Sequence, residues 1–320
     1  MPVVSKGGYI FMVLVGRPPD ETYVADLKDL ERSMENARGK LALPKGSRVH
    51  RRGAYPNVST GISYGGGSKV SPEPTLHRQR NSPGVHQQPG DLVVGNKNNK
   101  TLIKSLEDHR GMARIVGFVK RKSVRASGGP DRRRPTSEFR CLHWTDQPIL
   151  DNLRTYAPRL STFTKTILNL FETDNPSVQR HFKDHPMAST TFNFGPRTCT
   201  LPHKDLKNLS WGWCSVTSMG TYNPKEGGHL VLWDLKLAVE FPPYSTILIP
   251  SAILMHSNTS IGERETRLTI TQYSSSGLYA WSAYGNAPKK GAKEVRSWWK
   301  KPRHMFSTME EVGRMQRARR

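Results

Sequence analysis

The chain has little cysteine, little acid and no long apolar run, and each shortage excludes something. Cys141, Cys199 and Cys214 are the only cysteines in 320 residues. They are too few and too scattered for a disulfide framework or a thiolate metal site, so a reducing compartment is expected. No stretch reaches the roughly 18 consecutive apolar residues of a membrane span. The nearest, Tyr9 to Val15, lacks a small-residue cleavage site behind it and reads as a buried strand rather than a leader. Acidic residues number 26 against 49 Lys and Arg, a net charge of +23. A surplus of this size favours a polyanionic partner, most simply nucleic acid, with an anionic membrane surface as the bland alternative. Hydrophobic residues are 35% of the chain, so a compact core must coexist with polar segments.

The polar segments lie mainly in the first half. Residues 45–90 are rich in Gly, Pro, Ser and basic side chains and include Gly61-Ile62-Ser63-Tyr64-Gly65-Gly66-Gly67-Ser68. No Gly-Lys-Ser/Thr follows, so a tight turn is the better reading than a phosphate cradle. Residues 71–89 read as a disordered surface insertion, and residues 120–135 as a basic loop. A helix is expected over 21–38, with Val24, Leu27, Leu30 and Met34 on one face, and another over 100–118. Helical spacing over 148–172 places Leu153, Tyr156, Leu160, Phe163, Ile167 and Leu170 in the core. From 187 to 285 the pattern turns to short apolar runs: 187–194, 211–219, 229–233, 236–241, 245–249, 252–256 and 266–273. Gly227-Gly228 and Pro242-Pro243 punctuate them. Many short strands at this spacing fit a cupin-like jelly roll with flanking helices, an α+β architecture. The expected divisions are an N-terminal part of the domain over 1–135, a catalytic core over 136–285, and a mobile basic tail over 286–320.

The chemistry-bearing pattern is His203-Lys204-Asp205, with His256 downstream and Arg267 beyond it. Two histidines and one carboxylate are the ligand set of non-haem Fe(II) oxygenases, which leave positions open for a co-substrate and O₂. In an extended segment residues i and i+2 share a face, so His203 and Asp205 can reach one ion. Period two also puts Arg267, Thr269 and Thr271 on one face of their strand. A guanidinium there can hold a carboxylate through two parallel hydrogen bonds, and a Thr hydroxyl can add a third. The alternative for Arg267 is a surface cation. His181 and His185 could bind zinc from one helix, but a solvated helix end is the better reading, and His229 reads as a satisfied structural histidine. There is no Gly-x-Ser-x-Gly or Cys–His nucleophile pattern.

Several ordered motifs carry a family resemblance. They are Thr191-Phe192-Asn193-Phe194-Gly195-Pro196, His203-Lys204-Asp205-Leu206-Lys207-Asn208, Gly227-Gly228-His229-Leu230-Val231-Leu232-Trp233-Asp234, Ile249-Pro250-Ser251-Ala252, His256-Ser257-Asn258 and Thr271-Gln272-Tyr273. His50-Arg51-Arg52-Gly53 and the glycine-rich run after Thr60 belong with them. Over residues 7–285 the chain resembles the TET/JBP oxygenases, and more closely their fungal, basidiomycete-type, transposon-associated branch.

That resemblance implies a double-stranded β-helix using Fe(II), 2-oxoglutarate and O₂, with ascorbate as a possible stimulant, to oxidise a methyl group on a DNA base. By motif position His203, Asp205 and His256 would hold iron, and Arg267 with Thr269 would hold 2-oxoglutarate. Asn208 would hydrogen-bond the target base and Tyr273 would stack on it. The expected substrate is 5-methylcytosine in double-stranded DNA, which must be flipped out of the helix to reach the metal. N6-methyladenine is the enzymatic alternative, and a transposon-derived DNA-binding protein without catalysis is the non-enzymatic one. Departures from the family are also on the chain. Three cysteines cannot build the Cys-rich subdomain of animal members, Ser275 stands where those carry a base-contacting His, and Tyr244 and Ser276 stand where fungal relatives usually have Gly. A monomer in the nucleus is expected, with the basic runs at 120–134 and 289–320 as import signals.

Overall fold

The structure is a computed structural model that describes residues 1–40, 52–62, 141–174, 185–284 and 305–318. The expected insertion, the helix over 100–118, the basic loop over 120–135, His181, and most of the glycine-rich run lie outside those residues.

Strands follow the short apolar runs. In chain order they are β1 (Pro2–Val4), β2 (Ile10–Gly16), β3 (Asn57–Gly61), β4 (Ser189–Asn193), β5 (Cys214–Thr221), β6 (Leu230–Leu232), β7 (Leu237–Val239), β8 (Thr246–Ile249), β9 (His256–Asn258) and β10 (Thr266–Tyr273). Among the described residues they form a seven-stranded sheet, β1-β2-β8-β5-β10-β4-β3, and a three-stranded sheet, β7-β6-β9. Neighbouring strands pair antiparallel throughout. The fold is the double-stranded β-helix that the strand spacing implies, in the α+β class.

Strand β8 shows why the large sheet is buried on both faces. Its side chains alternate, so Ile247 and Ile249 meet Met12, Leu230, Leu232 and Phe241 between the sheets. Leu248 points the other way, into a second cluster with Val13, Ile149, Leu153 and Leu160 under the helices. Helix α1 (Glu21–Lys40) buries Leu27, Leu30 and Met34 from the expected stripe.

The helical spacing expected over 148–172 is carried by two helices, α2 (Cys141–Tyr156) and α3 (Pro158–Asp174). Proline has no N–H to donate and disfavours helical backbone at the residue before it, so Ala157 ends one helix and Pro158 opens the next. The break corrects part of the core list: Leu170 is exposed, and Leu168 and Phe171 are buried. The strand expected over 252–256 is also shifted. Ile253 and Leu254 donate back to the Pro250 carbonyl in a turn, and extended backbone begins at His256. The C-terminal segment is not wholly a mobile tail. Helix α4 (Ser276–Ala283) follows β10, and α5 (Met309–Arg317) docks on the core through Val312, with an Arg159–Glu311 ion pair at 2.8 Å.

Tyr244 explains one departure from the family pattern. Its φ is +64°, in the left-handed region where glycine is at ease. The tyrosine offsets that strain through its side chain. Its hydroxyl donates to Glu31 Oε2 at 2.9 Å, and the same oxygen accepts from the Gly220 N–H at 3.1 Å. The contact ties α1 to the large sheet. Burial pushes the Glu31 carboxyl above its usual range, and burial followed by the Glu31 contact raises the Tyr244 phenol.

Candidate metal centre and active site

His203 and His256 are brought together by backbone, not by chance proximity of loops. Each donates its N–H to the other's carbonyl, both at 3.0 Å. Residues that exchange both bonds stand directly opposite and point the same way. Their rings lie 4.3 Å apart, centroid to centroid. Asp205 follows on the same extended face, its own N–H held by the Ser251 carbonyl at 2.9 Å. Its Oδ1 is 3.8 Å from His203 Nε2 and its Oδ2 is 3.9 Å from His256 Nε2. The three ligand atoms all lie within 4.8 Å of one another, the one such group of His, Cys, Asp or Glu among the described residues.

Both histidines are set in the tautomer that binds metal. His203 Nδ1 lies 2.7 Å from the Leu201 carbonyl and His256 Nδ1 lies 2.9 Å from the Leu254 carbonyl. A carbonyl only accepts, so each Nδ1 carries a proton, and each Nε2 is the ring atom turned toward Asp205. Burial, then the neighbouring His256, pushes His203 down to about 4. At neutral pH that ring is an uncharged ligand.

A clamp outside the ligands holds both metal-bearing segments. Asp234 Oδ2 accepts from the Met255 N–H at 2.8 Å, next to His256, and pairs with Lys204 Nζ at 3.3 Å, between His203 and Asp205. Trp233 adds its N–H to the Met255 carbonyl at 2.9 Å and its indole N–H to Ser257 Oγ at 3.0 Å. Met255 and Ser257 flank His256, so the Trp233-Asp234 pair fixes that histidine from both sides.

Arg267 is fully buried in β10, which excludes the surface-cation alternative. Its Nη1 donates to the Thr198 carbonyl at 2.8 Å, and Phe241 lies under the guanidinium at 5.6 Å. Its Nε and Nη2 make no hydrogen bond among the described residues. A buried, charged donor left without an acceptor costs more than about 1–3 kcal/mol, so a pair of them calls for a ligand. A carboxylate matches both the charge and the fork geometry. Thr269, two residues on, accepts from Asn193 Nδ2 at 2.9 Å and lies on the same face. The donor sets fit Fe(II) at His203, Asp205 and His256, and 2-oxoglutarate at Arg267.

Asn208 and Tyr273 share one pocket with Ser251, Trp213, Met187 and Leu160. Asn208 Nδ2 donates to Ser251 Oγ at 3.1 Å, and the Tyr273 hydroxyl accepts from Thr191 Oγ1 at 3.3 Å. The pocket therefore has an amide on one wall and an aromatic ring on another, beside the turn that carries Asp205.

Four contributors had no role in the sequence reading. Arg52 Nη1 lies 4.0 Å from Asp205 Oδ1, and Asn193, Ser251 and Asp234 orient the groups just described. All four stood inside the ordered motifs, which was their only signal. Of the rival histidines, His185 is buried and accepts from the Met187 N–H at 3.1 Å, so the expected solvated helix end is corrected there. His229 Nδ1 meets Thr259 Oγ1 at 3.1 Å, as a satisfied structural histidine should. Cys199 and Cys214 are free thiols.

No protein-family model matches the chain, and no curated protein matches it. Solved structures similar to it include NgTET1 in complex with 5mC DNA, at 13% identity and TM-score 0.41, covering 87% of this chain and 76% of that one. A 2OG-Fe(II) oxygenase family oxidoreductase from Burkholderia pseudomallei is 13% identical with TM-score 0.32, covering 84% of each chain. The viral collagen prolyl hydroxylase vCPH from Paramecium Bursaria Chlorella virus-1, in its 2OG complex, is 12% identical with TM-score 0.22, covering 27% of this chain and 57% of that one. Overlaps this loose carry no argument about the chemistry, which rests on the side chains described above.

Proposed function

We propose that this protein is an Fe(II)/2-oxoglutarate dioxygenase that oxidises the methyl group of 5-methylcytosine in double-stranded DNA to 5-hydroxymethylcytosine and onward. The observation that carries the dioxygenase reading is the buried Arg267, with two unpaired donors, in the same fold as a His203–Asp205–His256 metal group. Iron bound there supplies, with O₂ and 2-oxoglutarate, the oxidation of a C–H bond coupled to loss of CO₂ from the co-substrate.

The chain's own part is positioning. His203 and His256 offer their Nε2 atoms, with the rings held by the Leu201 and Leu254 carbonyls at Nδ1, and Asp205 offers its carboxylate between them. Arg267 would hold the far carboxylate of the co-substrate, in a buried site where a charge-assisted hydrogen bond is little screened. Asn208 presents an amide to the hydrogen-bonding edge of a flipped base, and Tyr273 presents a ring to its face. The net charge of +23 holds the phosphates on either side of the extruded nucleotide. The motif pattern supports placement in the fungal branch of the TET/JBP oxygenases, and the charge and substrate support action as a monomer in the nucleus.

Methylated duplex DNA incubated with Fe(II), 2-oxoglutarate, ascorbate and the protein, then digested for nucleoside mass spectrometry, tests the reading. 5-Hydroxymethylcytosine or a higher oxide is expected, and none with His203→Ala. Loss of N6-methyladenine with 5-methylcytosine untouched would replace the substrate. No change in either base, with DNA still bound, would replace the enzyme with a binding protein.

A further inference from the structure

Leu206 is the most exposed large apolar side chain among the described residues, at 75%. It follows the ligand Asp205 directly and precedes the pocket residue Asn208 by two positions. It is not on a loose tip. Asn208 N–H closes a turn onto the Asp205 carbonyl at 2.8 Å, with Leu206 and Lys207 at its centre. Both ends of the turn are pinned. Asp205 N–H meets the Ser251 carbonyl at 2.9 Å, Leu209 N–H meets the Ser274 carbonyl at 2.9 Å, and the Lys207 carbonyl accepts from Ser276 N–H at 2.8 Å. The turn is therefore a stiff mount that holds an apolar side chain in water.

A lone exposed leucine is ordinary, but this one has company. Leu201, 58% exposed, lies two residues before His203, and Ile253, 47% exposed, lies three before His256. The Ile253 turn is joined to the Leu206 turn through Ser251, whose carbonyl holds Asp205 and whose hydroxyl holds Asn208. Apolar side chains thus gather on the segments that carry the metal ligands, while Lys204 and Lys207 bracket Leu206 in sequence. Apolar surface edged with cations fits a partner whose interior is apolar and whose border is anionic.

We propose that Leu206 is a wedge that enters the base stack of duplex DNA and fills the space left by the flipped nucleotide. The inference rests on the reading of the Asn208–Tyr273 pocket as a base pocket, and it names how the base is delivered. Extruding a base breaks its stacking on both neighbours, and an apolar side chain inserted between the steps compensates part of that loss. The wedge must be apolar, stiff, and carried on the same turn as a pocket residue. Leu206 meets each requirement, and its position beside Asp205 ties insertion to delivery at the metal.

The test separates extrusion from oxidation. Duplex DNA carrying 2-aminopurine next to 5-methylcytosine is mixed with the full chain, Fe(II) and 2-oxoglutarate without O₂, and emission is read as a measure of unstacking. The wild-type protein raises emission. Leu206→Ala cuts the rise by about fivefold or more, Leu206→Met keeps it, and Leu170→Ala, an exposed leucine on α3, is a neutral control. A Leu206→Ala protein with the full rise, or a wild-type protein with none, overturns the wedge. Admitting O₂ then reads the chemistry independently. A Leu206-dependent rise without oxidised base sinks the oxygenase reading and keeps the wedge, and oxidised base without a rise does the reverse.

Discussion

The large sheet and the small sheet hold their functional residues in different ways. Arg267 sits near the start of β10, opposite Gly220 of β5 on one side and bridged to Arg197, just past the end of β4, on the other. Its position follows from ladder hydrogen bonds and from the apolar packing that buries β5, β8 and β10. His256 sits on three-residue β9, at the edge of a small sheet whose outer strand β7 is largely exposed. It is held by the reciprocal bonds with His203 and by the Trp233-Asp234 clamp. Regular structure therefore places the proposed co-substrate anchor, and a few specific side chains place the proposed metal ligands. Damage to the first should appear as lost co-substrate binding or lost stability, and damage to the second as lost metal affinity in an intact fold.

Arg267→Gln is the strongest probe of the ladder side. It removes a charged, bidentate donor, so 2-oxoglutarate affinity should fall about a thousandfold at two charge-assisted bonds of roughly 2 kcal/mol each. Calorimetry with Mn(II) in place of iron measures it, and affinity within tenfold of wild type would remove Arg267 from the co-substrate site. Ile247→Ala probes the same sheet without touching the site. It should cost about 2–5 kcal/mol of stability in chemical denaturation and leave the metal dissociation constant of the surviving folded protein unchanged. A large change in metal affinity there would erase the distinction between the sheets.

Asp234→Asn probes the clamp side. It weakens the hold on Lys204 and on the Met255 N–H together, so metal affinity should drop about tenfold, the usual scale for a group that orients a ligand. Thermal stability should barely move, because Asp234 lies at the surface. A shift in melting temperature with unchanged metal binding would make Asp234 structural only.

The smallest effect belongs to the docked C-terminal helix. The Arg159 hydrogen bond, then the Thr308 N–H, holds the Glu311 carboxyl below its usual range. A depressed folded value means this contribution is present above the unfolded value of about 4.3 and is lost as pH falls through the folded one. The pair is largely exposed, so screening limits it to well under about 1 kcal/mol. Wild type and Glu311→Gln should differ slightly in melting temperature at pH 7 and converge once the pH falls below the folded value, and a difference that does not shrink with acid would rule out the ion pair as its source.

Much of the site was legible in sequence because strands repeat every two residues. His203 and Asp205, and Arg267 and Thr269, could be set on shared faces by counting alone. The strand runs were legible for the same reason, apart from 252–256, where the turn at Pro250 moves the start of extended backbone to His256. The helical spacing over 148–172 is interrupted at Ala157-Pro158, where a period of 3.6 runs through a residue that cannot donate. The clamp was not legible, since Asp234 reaches Lys204 across thirty positions and no periodicity links them.

By itself the sequence determined the residue types, the sign of the charge, and the alternation that makes these segments strands. Those are local properties, decided by a side chain and its near neighbours. Tertiary structure alone decided that His256 stands opposite His203, that Arg267 is buried with two donors unspent, and that Leu206 is mounted outward on a pinned turn. Each depends on backbone groups distant in sequence finding hydrogen-bond partners, and only the folded sheets bring those partners together.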